Sequence, residues 1–265
     1  MHSPYSVSQT RGILTISSLK IMKDNFSTQS GNYSKFRPTY PSEFFTYLNS
    51  LIPIKKSAWD CGTGSGQVAY ELAKTFDNVY ATDISQSQID NARKSTNITY
   101  SVQPAEKTTF TDNTFDLVIV AQAIHWFDFE KFYAEVIRTA KENAKLCVVG
   151  YGLIEISPEI DLIIRDFFTE VIGKYWDKER KYVDENYKTI PFPFNEIEVS
   201  TFENTHEWSL NHLIGYLNTW SAVKHYIKKN NHNPIEELEQ KVATHWSNGE
   251  LKMVRFPILL RIGQL

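Results

Sequence analysis

Cysteine is scarce in this chain of 265 residues, which contains only Cys61 and Cys147. Two isolated cysteines exclude a disulfide framework, and their spacing is not that of a metal site. We therefore expect no bound metal. So few cysteines are typical of a reducing compartment, and a cytoplasmic location is predicted.

Long apolar runs and blocks of basic residues are also missing. No stretch approaches the roughly 18–20 apolar residues that a membrane-spanning helix requires. The N-terminal stretch GILTISSLKIM is too short and too polar for a signal peptide. The formal net charge is −3, and no basic block could follow a nucleic-acid backbone. These absences disfavour a membrane span, and they disfavour nucleic acid as a partner.

The remaining composition is that of an ordinary globular protein, with 42% hydrophobic residues. A chain of this length can bury a full hydrophobic core within one domain. Residues 1–22, rich in Ser and Thr, are predicted to form a disordered extension. Residues 23–265 are predicted to form a single domain.

Short apolar runs alternate with helical periodicity in the first part of the chain. Such alternation predicts βαβ units and a largely parallel sheet with helices on both faces. The expected strands cover 57–62, 78–85, 98–106, 115–126 and 145–152, and the expected helices 66–76, 85–95 and 128–143.

Helical periodicity dominates beyond Gly152, and residues 153–265 are expected to cover the pocket as a lid. Residues 175–194 read as a flexible connection with a solvated run of charges. Pro257 interrupts the last apolar alternation and cannot donate to a ladder, which indicates an edge strand or a bulge. The expected helices cover 157–176, 210–229 and 234–246, and the expected strands 196–210 and 252–263.

A turn with three glycines, DCGTGSG, follows the first strand. Gly62, Gly64 and Gly66 have the spacing G-x-G-x-G, whereas a dinucleotide fingerprint has G-x-G-x-x-G. Asp60 lies two residues before the first glycine, where a carboxylate would repel a pyrophosphate but attract a cation. A nicotinamide dehydrogenase is therefore disfavoured.

A nucleoside that carries an amino acid fits this pattern. Its ammonium group would meet Asp60, and the glycines would let it approach the backbone closely. Asp83 lies 23 residues after Asp60, at the end of the next strand, where a carboxylate can accept hydrogen bonds from both ribose hydroxyls. Both features indicate S-adenosyl-L-methionine (SAM). The alternative is that the glycines serve a tight turn and the two carboxylates act as caps.

Four stretches, YSKFRPTYP, WDCGTGSG, ATDIS and PAEKTTFTDNTFDLVIVAQAIHWFD, resemble the class I SAM-dependent methyltransferases in this order. The similarity is greatest to the small-molecule branch that includes ubiquinone/menaquinone-type and trans-aconitate-type enzymes. It covers residues from about 30 to 152, the expected SAM-binding core. It implies a Rossmann-like seven-stranded sheet whose last strand is antiparallel. It does not define the methyl acceptor.

The resemblance also assigns roles to residues of this sequence. Asp60 and the three glycines, with Thr63 between them, would hold the methionine end of SAM. Asp83 would bind the ribose. Many relatives have an aspartate where this chain has Pro104, so adenine recognition has to come from elsewhere. The further cofactor residues implied are Tyr33, Arg37, Ile84, Ala105, Glu106, Ala121 and Gln122.

The acceptor is expected at the carboxyl ends of the strands, where ligands of open α/β sheets bind. His125 could be a general base because its ordinary pKa is about 6.5. The alternative is a hydrogen-bonded histidine at a helix entry, since a carboxylate or soft nucleophile needs no base. Tyr40, Trp126 and Trp176 are the expected acceptor contacts.

The predicted function is methyl transfer from SAM to a small molecule, a carboxylic acid or another oxygen nucleophile. Two alternatives stay open. One is C-methylation of a quinone or lipid-like acceptor, and the other is a non-catalytic SAM-binding module.

Overall fold

The computed structural model describes residues 35–265. Strands and helices alternate up to Tyr151, and helices predominate beyond it. The predictions for residues 1–22 and for Tyr33 fall outside the described residues. The strands are β1 (Ser57–Cys61), β2 (Asn78–Asp83), β3 (Ile98–Val102), β4 (Phe115–Ala121), β5 (Ala140–Tyr151), β6 (Asn195–Ile197), β7 (Thr205–Trp208), β8 (Lys252–Arg255) and β9 (Ile258–Gln264). The helices are α1 (Ser42–Ser50), α2 (Gln67–Leu72), α3 (Gln86–Asp90), α4 (Phe129–Thr139), α5 (Pro158–Asp166), α6 (Lys181–Asp184), α7 (Leu210–Leu217), α8 (Ser221–Asn230) and α9 (Ile235–Ala243).

The main sheet has seven strands in the order β3-β2-β1-β4-β5-β9-β6. Strands β1 to β5 run parallel, and β9 runs antiparallel to both of its neighbours. The predicted Rossmann-like methyltransferase sheet is therefore confirmed. The strand order reverses between β1 and β4, and an open α/β sheet forms its ligand crevice at such a point.

Helices cover both faces of this sheet. Successive side chains of a strand point to opposite faces, and β4 illustrates this with four residues that are fully buried. Leu117 and Ile119 join a cluster with α1 and α2. Val118 and Val120 join a second cluster with α4. Strand β4 therefore reads as a continuous apolar run in the sequence, because neither of its faces meets solvent.

The lid has an apolar cluster of its own, built from α5, α7, α8 and α9. Tyr151, at the carboxyl end of β5, belongs to this cluster, so the lid packs on the edge of the sheet that carries the ligand crevice. Within residues 35–265, no helix combines the length and the apolar character needed to cross a membrane.

Two predicted strands of the lid region were wrong in extent. The segment 252–263 forms two strands, β8 and β9, because the chain leaves one sheet at Pro257 and enters the other. The segment 196–210 likewise divides into β6 and β7, which pair with β9 and β8 respectively. Pro257 therefore marks a crossing between two sheets, and not a bulge within one strand.

Two predicted helices were too long. In place of the helix predicted over 157–176, α5 ends at Asp166 and a π-helical turn follows it. In that turn the Ile172 N–H donates to the Phe167 carbonyl at 3.0 Å. The helix predicted over 210–229 is interrupted between α7 and α8. There the Thr219 hydroxyl donates to the Tyr216 carbonyl at 2.6 Å, so a side chain competes for a terminal carbonyl of the helix.

The segment 175–194 was wrongly predicted as a flexible connection. It contains helix α6 and a short 3-10 turn. Val183, Tyr187 and Ile190 are buried in the cluster that also contains α4. These three buried residues fix the segment to the sheet.

Candidate active site

The glycine turn after β1 has a left-handed backbone at all three glycines. Their φ angles are 73° at Gly62, 53° at Gly64 and 72° at Gly66, a region that residues other than glycine rarely adopt. A Cβ atom on Gly62 would lie 2.6 Å from the Ala123 Cβ atom, and one on Gly66 would lie 2.2 Å from the Tyr100 hydroxyl. A Cβ atom on Gly64 would meet no atom within 4 Å. Two glycines thus permit close packing, whereas Gly64 faces open space.

The end of β2 holds this turn in place. The backbone N–H groups of Gly62 and Thr63 both donate to the Thr82 carbonyl at 2.9 Å. The Gly64 N–H donates to Asp83 Oδ2 at 2.9 Å, and the Ser85 N–H donates to Asp83 Oδ1 at 2.9 Å. Asp83 is half-buried.

Asp60 is completely buried beneath the turn. Its Oδ2 accepts hydrogen bonds from the Thr63 hydroxyl at 2.5 Å and from the Ala69 N–H at 2.9 Å. Its Oδ1 has no hydrogen-bond partner among residues 35–265. Burial raises the pKa of this carboxyl to about 7, the two hydrogen bonds oppose that rise, and the charge of Asp83 adds to it. An orphaned buried carboxylate oxygen of this kind is suited to a cationic donor.

The expected adenine contacts lie beyond Asp83. Ile84 is partly exposed, with 37% of its surface accessible, and Ala105 is buried. Glu106 accepts the Asp128 N–H through Oε1 at 3.0 Å, so this carboxylate also caps the loop before α4. The adenine roles of these three residues stay predictions.

A cleft of about 490 Å³, including the solvent at its mouth, lies between the end of β4 and the lid. Gln122, at the end of β4, has a φ of 56° and donates through Nε2 to the Tyr151 carbonyl at 3.1 Å. The lining residues are Arg37, Gln122, His125, Trp126, Trp176, Asp177, Arg180, Trp220 and Ser221.

His125 forms part of the cleft wall and is 7% exposed. Its ring centroid lies 4.9 Å from that of Trp126 and 6.3 Å from that of Tyr187. Its Nδ1 has no hydrogen-bond partner within the described part of the chain. Burial above all, and then the charges of Arg180 and Arg37, lower the pKa of His125 to about 3. The imidazole is therefore neutral at physiological pH.

Arg37 and Tyr40 connect the segment before α1 to the lid. Arg37 donates to the Tyr151 hydroxyl at 3.1 Å and to the Thr219 carbonyl at 3.4 Å. Its guanidinium also lies 5.4 Å from the centre of the Tyr216 ring. The structure thus places Arg37 in the wall of the cleft. Tyr40 packs on Tyr151, with ring centroids 6.1 Å apart, but it is not one of the lining residues.

Two charged lining residues were missed in the sequence. Arg180 lies 4.8 Å from the Trp176 ring centre, where it stacks as a cation on the aromatic face, and it donates to Asp184 at 2.9 Å. Asp177 lies 3.8 Å from His225. Both belong to the charged run that looked like solvated surface, and the neighbouring Trp176 was the available signal for a wall of mixed character.

The fold, the glycine turn and the cleft together define a class I methyltransferase, and comparison with known proteins agrees. Residues 59–148 match the family model of a methyltransferase domain. A Dictyostelium discoideum protein named "Putative methyltransferase" is 36% identical over 249 residues, which are 91% of this chain and 95% of that protein. An uncharacterized methyltransferase of Mycobacterium tuberculosis is 27% identical, over 84% of this chain and 88% of that protein.

A solved structure extends this similarity to three dimensions. The structure of a "Putative Type II Methyltransferase" from Anaeromyxobacter dehalogenans superposes with a TM-score of 0.80 at 37% identity. The superposition covers 86% of this chain and 98% of that one. The chain described here belongs to the class I SAM-dependent methyltransferase family. It is an enzyme that uses SAM and requires a methyl acceptor.

The residues of the glycine turn fit this cofactor. Gly64 leaves open space beside the backbone of the turn, and this space is called the cradle below. Asp60 Oδ1 is a buried acceptor without a partner among residues 35–265, and it suits an ammonium group. The carboxylate of Asp83 lies at the end of β2, one strand away, where ribose hydroxyls can reach it. These contacts remain proposals for this chain.

The pairing of Asp60 with an ammonium group predicts a pH dependence of cofactor binding. A folded-state pKa of about 7, above the usual value for aspartic acid, means that the proton stabilises the folded protein at low pH. This stabilisation is lost as the pH rises through 7. An ammonium ligand favours the carboxylate, so binding should release a proton and strengthen by up to about tenfold per pH unit between pH 5 and 7.

Calorimetry with S-adenosylhomocysteine (SAH), in two buffers of different ionisation enthalpy, measures this proton release. The variant Asp60→Asn removes the titrating group and should bind with weak, nearly pH-independent affinity. An affinity of the unmodified protein that is constant across this range would contradict the assignment.

Proposed function

We propose that this enzyme transfers the methyl group of SAM to a small-molecule carboxylic acid or another oxygen nucleophile. The observation that carries the proposal is the wall of the cleft, where Arg37 and Arg180 approach a neutral His125. Arginine is suited to carboxylates because its planar fork of donors matches two carboxylate oxygens. A cleft with two guanidinium groups favours an anionic acceptor over a neutral one.

His125 is better suited to hydrogen bonding than to taking a proton. A general base works best when its pKa lies near the operating pH, and the pKa of His125 is about 3. A phenol, an alcohol or a ring carbon would have to lose a proton during methylation. A carboxylate is already ionised, so it can attack without a base.

SAM supplies a sulfonium methyl group and a neutral thioether leaving group. The bond from sulfur to the methyl carbon breaks as a bond from a carboxylate oxygen to that carbon forms. The electron pair stays on sulfur, and no proton moves. The residues of the chain have to orient the carboxylate and exclude water. Trp126, Trp176 and Trp220 supply apolar walls for this purpose.

The activity can be tested with SAM that carries a labelled methyl group. The acceptors are a panel of carboxylic acids, with phenols and quinones alongside them. We expect labelled methyl esters of one or more acids, and no product with Asp83→Ala. Methylation confined to quinone carbons would refute the proposed acceptor class, whereas methylation confined to phenols would exclude carboxylic acids and leave another oxygen nucleophile as the acceptor. SAM binding without any product would favour a non-catalytic SAM-binding module.

The predicted cytoplasmic location stays a prediction. Cys61 and Cys147 are free and buried, which is compatible with a reducing compartment.

A further inference from the structure

Lys224, on lid helix α8, has a positive charge without a visible counterion. It is half-buried, and its ammonium group forms no hydrogen bond or ion pair with any residue of 35–265. Burial, and next the charge of Arg37, lower the pKa of its ammonium group. Holding a half-buried cation next to another cation costs free energy unless an anion compensates for it. The position of Lys224 therefore indicates a ligand with negative charge.

The geometry of α8 directs Lys224 to the cleft. The Lys224 N–H donates to the Trp220 carbonyl at 3.2 Å, one helical turn earlier. Residues three and four positions apart share one face of a helix, and both Trp220 and Ser221 line the cleft. Helical side chains lean toward the N-terminus of their helix. Lys224 thus lies on the helix face that carries these two lining residues, although it is not itself one of the residues that line the cleft.

The start of α8 adds a second favourable feature. This helix has ten residues and begins at Ser221, and no side chain caps it. Its first N–H groups have no partner within the helix, and they carry the positive end of the helix dipole. Arg37 donates to the Thr219 carbonyl at 3.4 Å, which brings a guanidinium group to the same helix end. Such an end attracts oxyanions.

Asp177 is the opposing charge in this wall. Its carboxylate lies 3.8 Å from His225 Nδ1. Two carboxylates, Asp177 and the Asp184 that pairs with Arg180, stand against three cations, Arg37, Arg180 and Lys224, so these five side chains carry one excess positive charge.

We infer that Lys224 and the first turn of α8, together with Arg37, form an oxyanion subsite on the lid. Its ligand is a carboxylate or phosphate group of the acceptor, distinct from the group that receives the methyl. The inference rests on the proposed function and deepens it, because it requires an acceptor with two anionic groups.

The test is a binding measurement on the full chain saturated with SAH. Binding is followed by tryptophan fluorescence, since Trp126, Trp176 and Trp220 line the cleft. The probes are butyrate with one carboxylate, succinate and glutarate with two, and phosphonopropionate, which replaces one carboxylate by a phosphonate. We compare the unmodified protein with Lys224→Gln. Lys228→Gln is the matched control, because Lys228 is exposed one turn further along α8.

We expect a dianion to bind roughly tenfold more tightly than butyrate. Lys224→Gln should abolish this preference and leave the affinity for SAH unchanged, whereas Lys228→Gln should retain the preference. A stronger preference for the phosphonate than for the dicarboxylates would identify a phosphate group as the ligand.

Three results would overturn the inference: no preference for dianions, a preference that survives in Lys224→Gln, or a loss of SAH affinity in that variant. The last result would assign Lys224 to the carboxylate of the cofactor. Because the measurement needs no turnover, it is independent of the proposed reaction. A Lys224-dependent preference without ester formation would refute the reaction and leave the subsite standing.

Discussion

Asp83→Ala is expected to lower the affinity for SAM and SAH by about a hundredfold or more. We propose that the carboxylate accepts hydrogen bonds from both ribose hydroxyls, and each hydrogen bond to a charged group contributes about 1.5–3 kcal/mol. It also holds the Gly64 N–H at 2.9 Å, so its loss loosens the turn that the cofactor contacts. Calorimetric titration with SAH measures the change.

Asp90→Ala provides the matched control for this variant. Asp90 lies in the helix that follows the same strand, is exposed, and accepts a hydrogen bond from Gln86 at 2.8 Å. Its removal should leave the affinity for SAH within about twofold of the original. An unchanged affinity in a folded Asp83→Ala protein would show that the ribose is bound elsewhere.

Gly64→Ala is expected to weaken SAH binding with little loss of stability, whereas Gly66→Ala is expected mainly to lower the free energy of unfolding. At Gly64 the new Cβ atom meets nothing within 4 Å, so the loss of stability should be the backbone cost of about 1 kcal/mol. The same atom would fill the cradle against which the cofactor lies. We therefore expect Gly64→Ala to weaken SAH binding by more than tenfold while the protein stays folded.

At Gly66 the new Cβ atom would lie 2.2 Å from the Tyr100 hydroxyl. That hydroxyl donates to the Arg93 carbonyl at 2.5 Å, so it cannot move without losing its hydrogen bond. The backbone cost and this disruption together should lower the free energy of unfolding by about 2–4 kcal/mol. Denaturant unfolding and SAH titration, applied to both variants, separate the two effects.

Gly249→Ala is the control for backbone strain alone. Gly249 has a φ of 78°, and a Cβ atom there would also meet nothing within 4 Å. It lies in the loop before β8, outside the glycine turn. The Gly249→Ala protein should lose about 1 kcal/mol of its free energy of unfolding and bind SAH as tightly as the unmodified protein. If Gly64→Ala behaved in the same way, the open side of the turn would not be the cofactor cradle.

The glycine turn and the strand ends beside it could be predicted from the sequence because their determinants are local. Asp60 and the three glycines lie within seven residues of each other, and they end one strand and begin one helix. Asp83 ends the neighbouring parallel strand. Once strands and helices alternate, strand ends must meet at one edge of the sheet. The pattern therefore fixed both the fold class and the position of the turn.

The acceptor half could not be predicted in the same way. Arg37, Arg180 and Ser221 come from three distant segments, and nothing in the local pattern of any one of them shows that all three line one cleft. A charged residue in a polar run looks solvated, which concealed Arg180. Tyr187 was concealed for the same reason, although it is fully buried with a hydroxyl that lacks a partner among residues 35–265.

The ends of the lid elements depended on tertiary contacts as well. Apolar periodicity continued across Thr219, where a side-chain hydroxyl takes a helix carbonyl and the helix stops. Alternation continued across Pro257, where the chain passes from one sheet to another. In both places the apolar pattern continues past the end of the element. The pattern does not show which hydrogen bonds and sheet pairings end that element.

A crystal structure of the full chain with SAH would show whether the glycine turn holds the cofactor. We expect the ribose hydroxyls within hydrogen-bonding distance of Asp83. We also expect the amino group to meet Asp60 Oδ1 directly or through one water, and the sulfur to face the cleft beside His125. SAH bound away from the glycine turn, or with its amino group directed away from Asp60, would contradict this expectation.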